Sequence, residues 1–160
     1  MKPSIKKGFG FGLTSGIITT LGLIVGLHAS TKSALAVIGG IIVIAIADSM
    51  SDAMGMHISE EFNIKKSKRE IWEATFSTFF FKFIFAMTFI FSFLLLSLST
   101  AIIVSILWGL LLISIFSFYI AKINKQSPHK VILEHLTITI LVIIATHYIG
   151  ELVRACFGRI

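Results

Sequence analysis

Long uncharged hydrophobic runs alternate with short basic segments along this chain. Gly8 to Leu27 carries no charge, and a second run begins after Lys32 and reaches about His57. From Phe83 to Ala121 there is again no charged residue, with Ser97-Leu98-Ser99-Thr100 as the polar interruption near its middle. That stretch is long enough for two spans of about 20 residues joined by a tight turn. A last run extends from Val131 to Val153. The pattern predicts an all-α polytopic membrane protein with five transmembrane helices, at about 9–28, 34–57, 75–97, 100–122 and 131–153. Between the second and third lies a short linker, 58–74, the one strongly polar segment. Glu61 and Lys65 stand in it four apart in the order that favours a helix pair, so part of the linker is expected to be helical.

Composition supports this reading. The chain of 160 residues is 56% hydrophobic and 14% charged, against about 25% charged in an ordinary soluble domain. Mean hydropathy is +0.95. One transmembrane domain over 1–160 accounts for the whole length. A basic start before an apolar run also suits a signal peptide, but the first run is long for one and several more spans follow.

The net charge of +6 would raise nucleic-acid binding in a soluble protein. Here the basic residues flank the apolar runs, and positive residues mark the cytoplasmic side. Lys2, Lys6 and Lys7 precede the first span. Lys65, Lys66, Lys68 and Arg69 lie in the linker, and Lys122, Lys125 and Lys130 surround the loop before the last span. The 28–33 turn has only Lys32, and 97–100 has no charge. The expected orientation is N-in and C-out, with Arg154 and Arg159 against it. The expected partner is the lipid bilayer, not nucleic acid. Cys156 is the single cysteine, so no intrachain disulfide and no cysteine-based metal site can form within one protomer.

Candidate chemistry sits inside the second span, where Ile41 to Ala47 runs straight into Asp48 and Asp52 follows one turn later. Acids are expensive in hydrocarbon, so those present usually face a bundle interior, a polar partner or an ion pathway. Asp48 and Asp52 share one helix face, which Met56 continues, while Met50, Met54 and His57 form a second stripe. Carboxylates with thioethers suit a borderline divalent cation such as Fe²⁺ or Mn²⁺. The alternative is packing for the methionines, and a structural hydrogen bond or ion pair for the acids. Lys82, early in the expected third helix, either pairs with Asp52 or snorkels to the headgroups, and snorkelling is preferred. The first helix carries Gly8-x-x-x-Gly12-x-x-x-Gly16 and Gly22-x-x-x-Gly26 among Thr14, Ser15, Thr19 and Thr20. These patterns allow a tight helix contact, expected across a dimer, and a pore would use the same glycines and hydroxyls. His147 and Glu151, four apart near the end of the last helix, are either a proton relay or ordinary interfacial residues. Glu60, Glu61, Glu70 and Glu73 are either ion-collecting acids or a solvated loop face. No nucleophile–base pair or nucleotide fingerprint is present, and His129, Glu134 and His135 do not match zinc-protease spacings, so no enzyme is expected.

Ser15-Gly16 in a Gly/Thr-rich first helix, Gly22-Leu23 and Gly26-Leu27, then Ser49-Met50, Ser127-Pro128 and Thr146-His147-Tyr148-Ile149-Gly150 together resemble the vacuolar iron transporter-like (VIT) family over nearly the whole chain. The resemblance is to a short, prokaryotic-type member in a multi-pass cell membrane. It implies a homodimer through the first and second helices, with a pathway between subunits lined by residues such as Thr14, Ser15, Thr19 and Ser49. It implies export of Fe²⁺ or Mn²⁺ from the cytosol by proton antiport, with no permanently bound cofactor, and Met50 matches the family's pore methionine. Two features depart from the family. Thr14-Ser15-Gly16 replaces its Ser-Asp-Gly, so the usual acid is missing at Ser15, and the long cytoplasmic metal-binding domain is reduced to the 58–74 linker. Asp48 and Asp52 are extra carboxylates. With Met50 and Met54 they form the expected metal set, drawn from two subunits. The alternative reading is a non-transporting membrane scaffold or assembly protein, which predicts aspartates satisfied by Lys82 or by hydroxyls.

Overall fold

The computed structural model describes residues 2–158. It is a bundle of helices: α1 (Pro3–Thr31), α2 (Ala34–Glu61), α3 (Lys68–Thr88), α4 (Ile90–Leu95), α5 (Leu98–Ile123) and α6 (Pro128–Phe157). There is no strand among the described residues. Five spans are long and apolar enough to cross a membrane, with α3 and α4 together forming the third, Lys68–Leu95. The expected number of spans is found, and their ends differ. Pro3 occupies the first turn of α1, where its missing N–H costs nothing, and starts that helix well before residue 9. A capping box between Ser67 and Glu70 starts α3 at Lys68 instead of about 75. Because α2 also continues to Glu61, the linker contracts to residues 62–67. The expected Glu61–Lys65 helix pair does not form, since Lys65 lies outside both helices. The third span breaks at Phe89, where the hydroxyls of Thr88 and Ser92 donate to carbonyls three residues back, of Phe85 and Phe89, and tighten the turn. At 29 residues, about 44 Å, α1 exceeds the hydrocarbon thickness, so its ends stand among headgroups.

The exterior is apolar. Leu107, Leu111 and Ile115 on α5 and Leu141 and Ile144 on α6 are exposed, and little of the apolar length of α6 is buried. Such a surface fits lipid, not water. The core runs along α1, where Ile17, Leu21 and Ile24 are fully buried and pack with Val37, Ile41, Ile113 and Phe116. α1 is the central element, touching α2, α3, α5 and α6. Its polar ends also bring the basic segments together. Lys2 and Lys7 reach Glu73 and Glu60, so the N-terminus and the α2–α3 linker lie at one end, with Lys32 and Glu151 at the other.

The glycine stripes of α1 are used within one chain. A Cβ at Gly8 would lie 2.5 Å from the Ala74 carbonyl oxygen, one at Gly12 would lie 2.6 Å from that of Thr78, and one at Gly16 would lie 2.9 Å from that of Lys82. These glycines therefore set the backbone approach of α1 to α3. The second stripe faces α6, where a Cβ at Gly150 would lie 2.5 Å from the Gly26 carbonyl oxygen. The expectation that these patterns join two subunits is corrected: neighbouring helices of the same bundle already occupy them. Replacing Gly12 by alanine forces a methyl against a fixed carbonyl. The expected loss is about 1–3 kcal/mol, read from thermal unfolding of the purified protein in detergent. Gly39→Ala, which meets open space, is the control. A Gly12→Ala protein as stable as its parent would contradict the packing described here.

Candidate functional site: a buried lysine between two aspartates

Lys82 is 1% exposed. Its stem crosses the glycine face of α1, where a Cβ at Gly16 would lie 3.3 Å from Lys82 Cγ. The missing side chain at Gly16 thus opens the corridor that lets the ammonium reach α2. Nζ lies 2.5 Å from Asp48 Oδ2 and 2.5 Å from Asp52 Oδ2, and 3.0 Å from the Ser15 hydroxyl. Ser15 Oγ donates to Asp52 Oδ2 at 2.7 Å. Asp52 is held by directed hydrogen bonds. Asp48 Oδ2 is held by charge at ion-pair distance, without an aligned donor. With one cation to two carboxylates, the cluster carries a formal charge of −1.

The preference for a snorkelling Lys82 is overturned, and the reason is the helix start. With α3 beginning at Lys68, Lys82 lies about 21 Å along the axis from its N-terminus, too far for its stem to reach the headgroups. Asp48 likewise falls at the middle of α2, and Ser15 near the middle of α1. The centre is therefore at mid-bundle.

Asp48 and Asp52 retain 30% and 22% side-chain exposure. Asp52 lines a cleft of about 440 Å³ between α1 and α2, with Lys7, Phe11, Ser51, Gly55, Met56 and Ser59. Met56 is the thioether on the acids' side, and the expected metal set did not include it. Met50 and Met54 lie elsewhere. Two residues at 100° each carry Met50 some 200° from either acid, onto the flank facing Trp72 and Phe76 of α3. Both methionines are more than half exposed. The expected metal set of Asp48, Asp52, Met50 and Met54 is thus not assembled within a protomer. No group of three or more His, Cys, Asp or Glu that could hold a metal occurs among the described residues.

The remaining candidates are dispersed. Thr14 and Thr19 donate to the Gly10 and Ser15 carbonyls of their own helix. Ser49 is fully buried, away from the cleft, and its hydroxyl has no partner among the described residues. Glu60 is buried and clasped by Lys7 and Lys66. Glu73 accepts from Lys2 at 2.5 Å, Ser4 at 2.8 Å and Arg69 at 3.0 Å. Glu70 caps α3 through Ser67 while remaining exposed, and Glu61, 3.5 Å from His57, is open to solvent. Three of the four expected ion-collecting acids are therefore engaged in holding helix ends. Glu151 pairs with Lys32 at 3.3 Å, and His147 lies one turn before it on α6, at the end of the bundle away from the linker.

Lys82→Met would leave two carboxylates without their cation, and breaking a buried pair in this way costs about 3–5 kcal/mol. Adding Asp48→Asn and Asp52→Asn should recover much of that loss, as read by thermal unfolding of the purified single and triple variants. A neutral Lys82→Met would show that the ion pair is not a stabilising element. No family model, curated protein or solved structure matches this chain, so the resemblance to the VIT family is carried by the short motifs alone.

Proposed function

We propose that the chain is a multi-pass cation transporter of a prokaryotic plasma membrane, oriented N-in and C-out, whose exchange centre is Asp48, Asp52 and Lys82. The observation that carries this reading is a buried ammonium between two aspartates at mid-bundle, with one of those acids open to a cleft between α1 and α2. Intramembrane ionisable clusters of this kind mark ion and proton pathways. The excess carboxylate supplies the negative charge that a cation needs. An entering divalent ion, Fe²⁺ or Mn²⁺, competes with the Lys82 ammonium for Asp52, and Met56 adds a soft donor on the same side. Protonation of the carboxylates on the acidic side returns the ion to water, which couples export to proton entry. Lys7, held by Glu60, sets a positive charge at the cleft mouth that an entering cation must pass.

A homodimer would enclose this cleft between subunits. Its contact would rest on the cleft side of α2, where a Cβ at Gly55 would meet open space, because the glycines of α1 are already engaged.

The second reading is a non-transporting scaffold. It is favoured by one observation: both aspartates are partnered, Asp52 by Lys82 and Ser15 and Asp48 by Lys82. Flux separates the two readings. Proteoliposomes containing the wild-type chain should take up Mn²⁺ or Fe²⁺ under an imposed pH gradient, and Asp48→Asn/Asp52→Asn should lower that uptake at least ten-fold. Equal flux from both proteins would remove the aspartates from the mechanism, and flux from neither, with no metal bound to purified protein, would favour the scaffold.

A further inference from the structure

On the flank of α2 away from the acid centre, Met50, Met54, His57, Trp72, Phe76 and Phe80 border an apolar groove of about 500 Å³. At His57 and Trp72 it adjoins a smaller recess of about 160 Å³, which also contains Glu61 and Lys68. The head of this recess is rigidly built. His57 Nδ1 lies 2.9 Å from the Thr75 hydroxyl, its ring meets Trp72 edge-on with centroids 4.6 Å apart, and Trp72 stacks on Phe76 at 5.3 Å. An apolar floor ending in a polar head near the end of the bundle has the form of a single phospholipid chain and its headgroup.

Charge selects among headgroups. Lys2 and Arg69 are bound to Glu73, and Lys7 and Lys66 to Glu60. Lys68 has no carboxylate within ion-pair distance among the described residues. It opens α3, whose N-terminus is closed by the Ser67–Glu70 capping box, so the Lys68 ammonium is the cation that this end of the groove offers. Glu61, the acid in the recess, faces His57 at 3.5 Å and is mostly solvated.

We propose that this groove binds an anionic phospholipid of the leaflet at the α2–α3 end. The acyl chain lies along Met50, Met54, Phe76 and Phe80, and the phosphate meets Lys68. The site is independent of any transport by the acid centre, which lies on the other flank of α2.

Trp72 is itself the probe, because the chain has 2 tryptophans, and Trp108→Phe leaves Trp72 as the sole indole. The full chain is reconstituted in equimolar phosphatidylglycerol and phosphatidylcholine vesicles, with the chains of one lipid or the other brominated. Brominated phosphatidylglycerol should quench Trp72 as though enriched about five-fold over phosphatidylcholine, the preference expected of one lysine at a headgroup. Lys68→Gln should bring the two lipids to parity. Trp108 donates to Thr88, so if its replacement impairs folding, the difference between parent and Trp72→Phe isolates the same signal. Equal quenching in the parent overturns the proposal, and so does a preference that survives Lys68→Gln.

Discussion

An ammonium ion at the middle of a bilayer has no water to solvate it, and the arrangement of α1, α2 and α3 answers that constraint. Lys82 must leave α3, pass α1 and arrive between two carboxylates on α2. Each step needs a particular backbone position. Gly16 leaves the corridor open, the four-residue spacing of Asp48 and Asp52 presents both acids on one face, and Ser15 bridges lysine and aspartate. A slip of one residue in α2 would turn the acids by about 100° and leave the ammonium facing Ala47 and Ser51 or Ser49 and Ala53. Register between these helices is thus specified by charge as well as by packing, which apolar contacts between interchangeable Leu and Ile side chains would do less sharply.

The close approach of α1 to α3 has a second consequence. Backbones held together through Gly8, Gly12 and Gly16 leave little room between them, and polar groups near this seam are satisfied locally. Ser77 donates to the Ile5 carbonyl at 2.9 Å, and Thr78 donates to that of Ala74 at 2.9 Å. At its linker end the seam is closed by Lys2, Ser4 and Arg69 on Glu73, and Lys7 and Lys66 clasp Glu60 beside it. Helices in lipid gain nothing from burying apolar surface against one another, so close packing and polar contacts of this kind must hold them. The outward faces, by contrast, carry plain Leu, Ile and Phe.

Much of this was legible in the residues. Uncharged runs broken by lysines lead directly to five spans, and two acids four apart in such a run mark the polar centre. What failed was the helix starts. Polarity from Ser59 to Glu73 reads as a partly helical linker that ends at about 74, although Ser67 and Glu70 form a capping box whose spacing is visible in the sequence. Starting the helix at Lys68 would have placed Lys82 beyond snorkelling reach. The glycine spacing correctly announces close contact, but spacing carries no information about which helix answers it. The two methionine-bearing stripes also follow from helical periodicity, and the expected metal set joined them on ligand chemistry by drawing from two subunits. Arg69, four residues before Glu73, is a local signal for that acid, but the links of Glu60 to Lys7 and of Glu73 to Lys2 join residues distant in sequence.

The central position of α1 bears on how the protein is made. Of the five spans, α1 is made before the others and is the most fully enclosed at the end, and its partner α6 is made after the other four. At about 5–20 residues per second, the Gly- and Thr-rich first helix waits several seconds in the membrane with its α6-facing groove uncovered. During that interval Lys82 does not yet exist, and Asp48 and Asp52 enter the bilayer without their cation. The insertion machinery must therefore hold a glycine-rich first helix with its groove open, and accept a second carrying two unmatched acids, until the third supplies the ammonium that those acids receive.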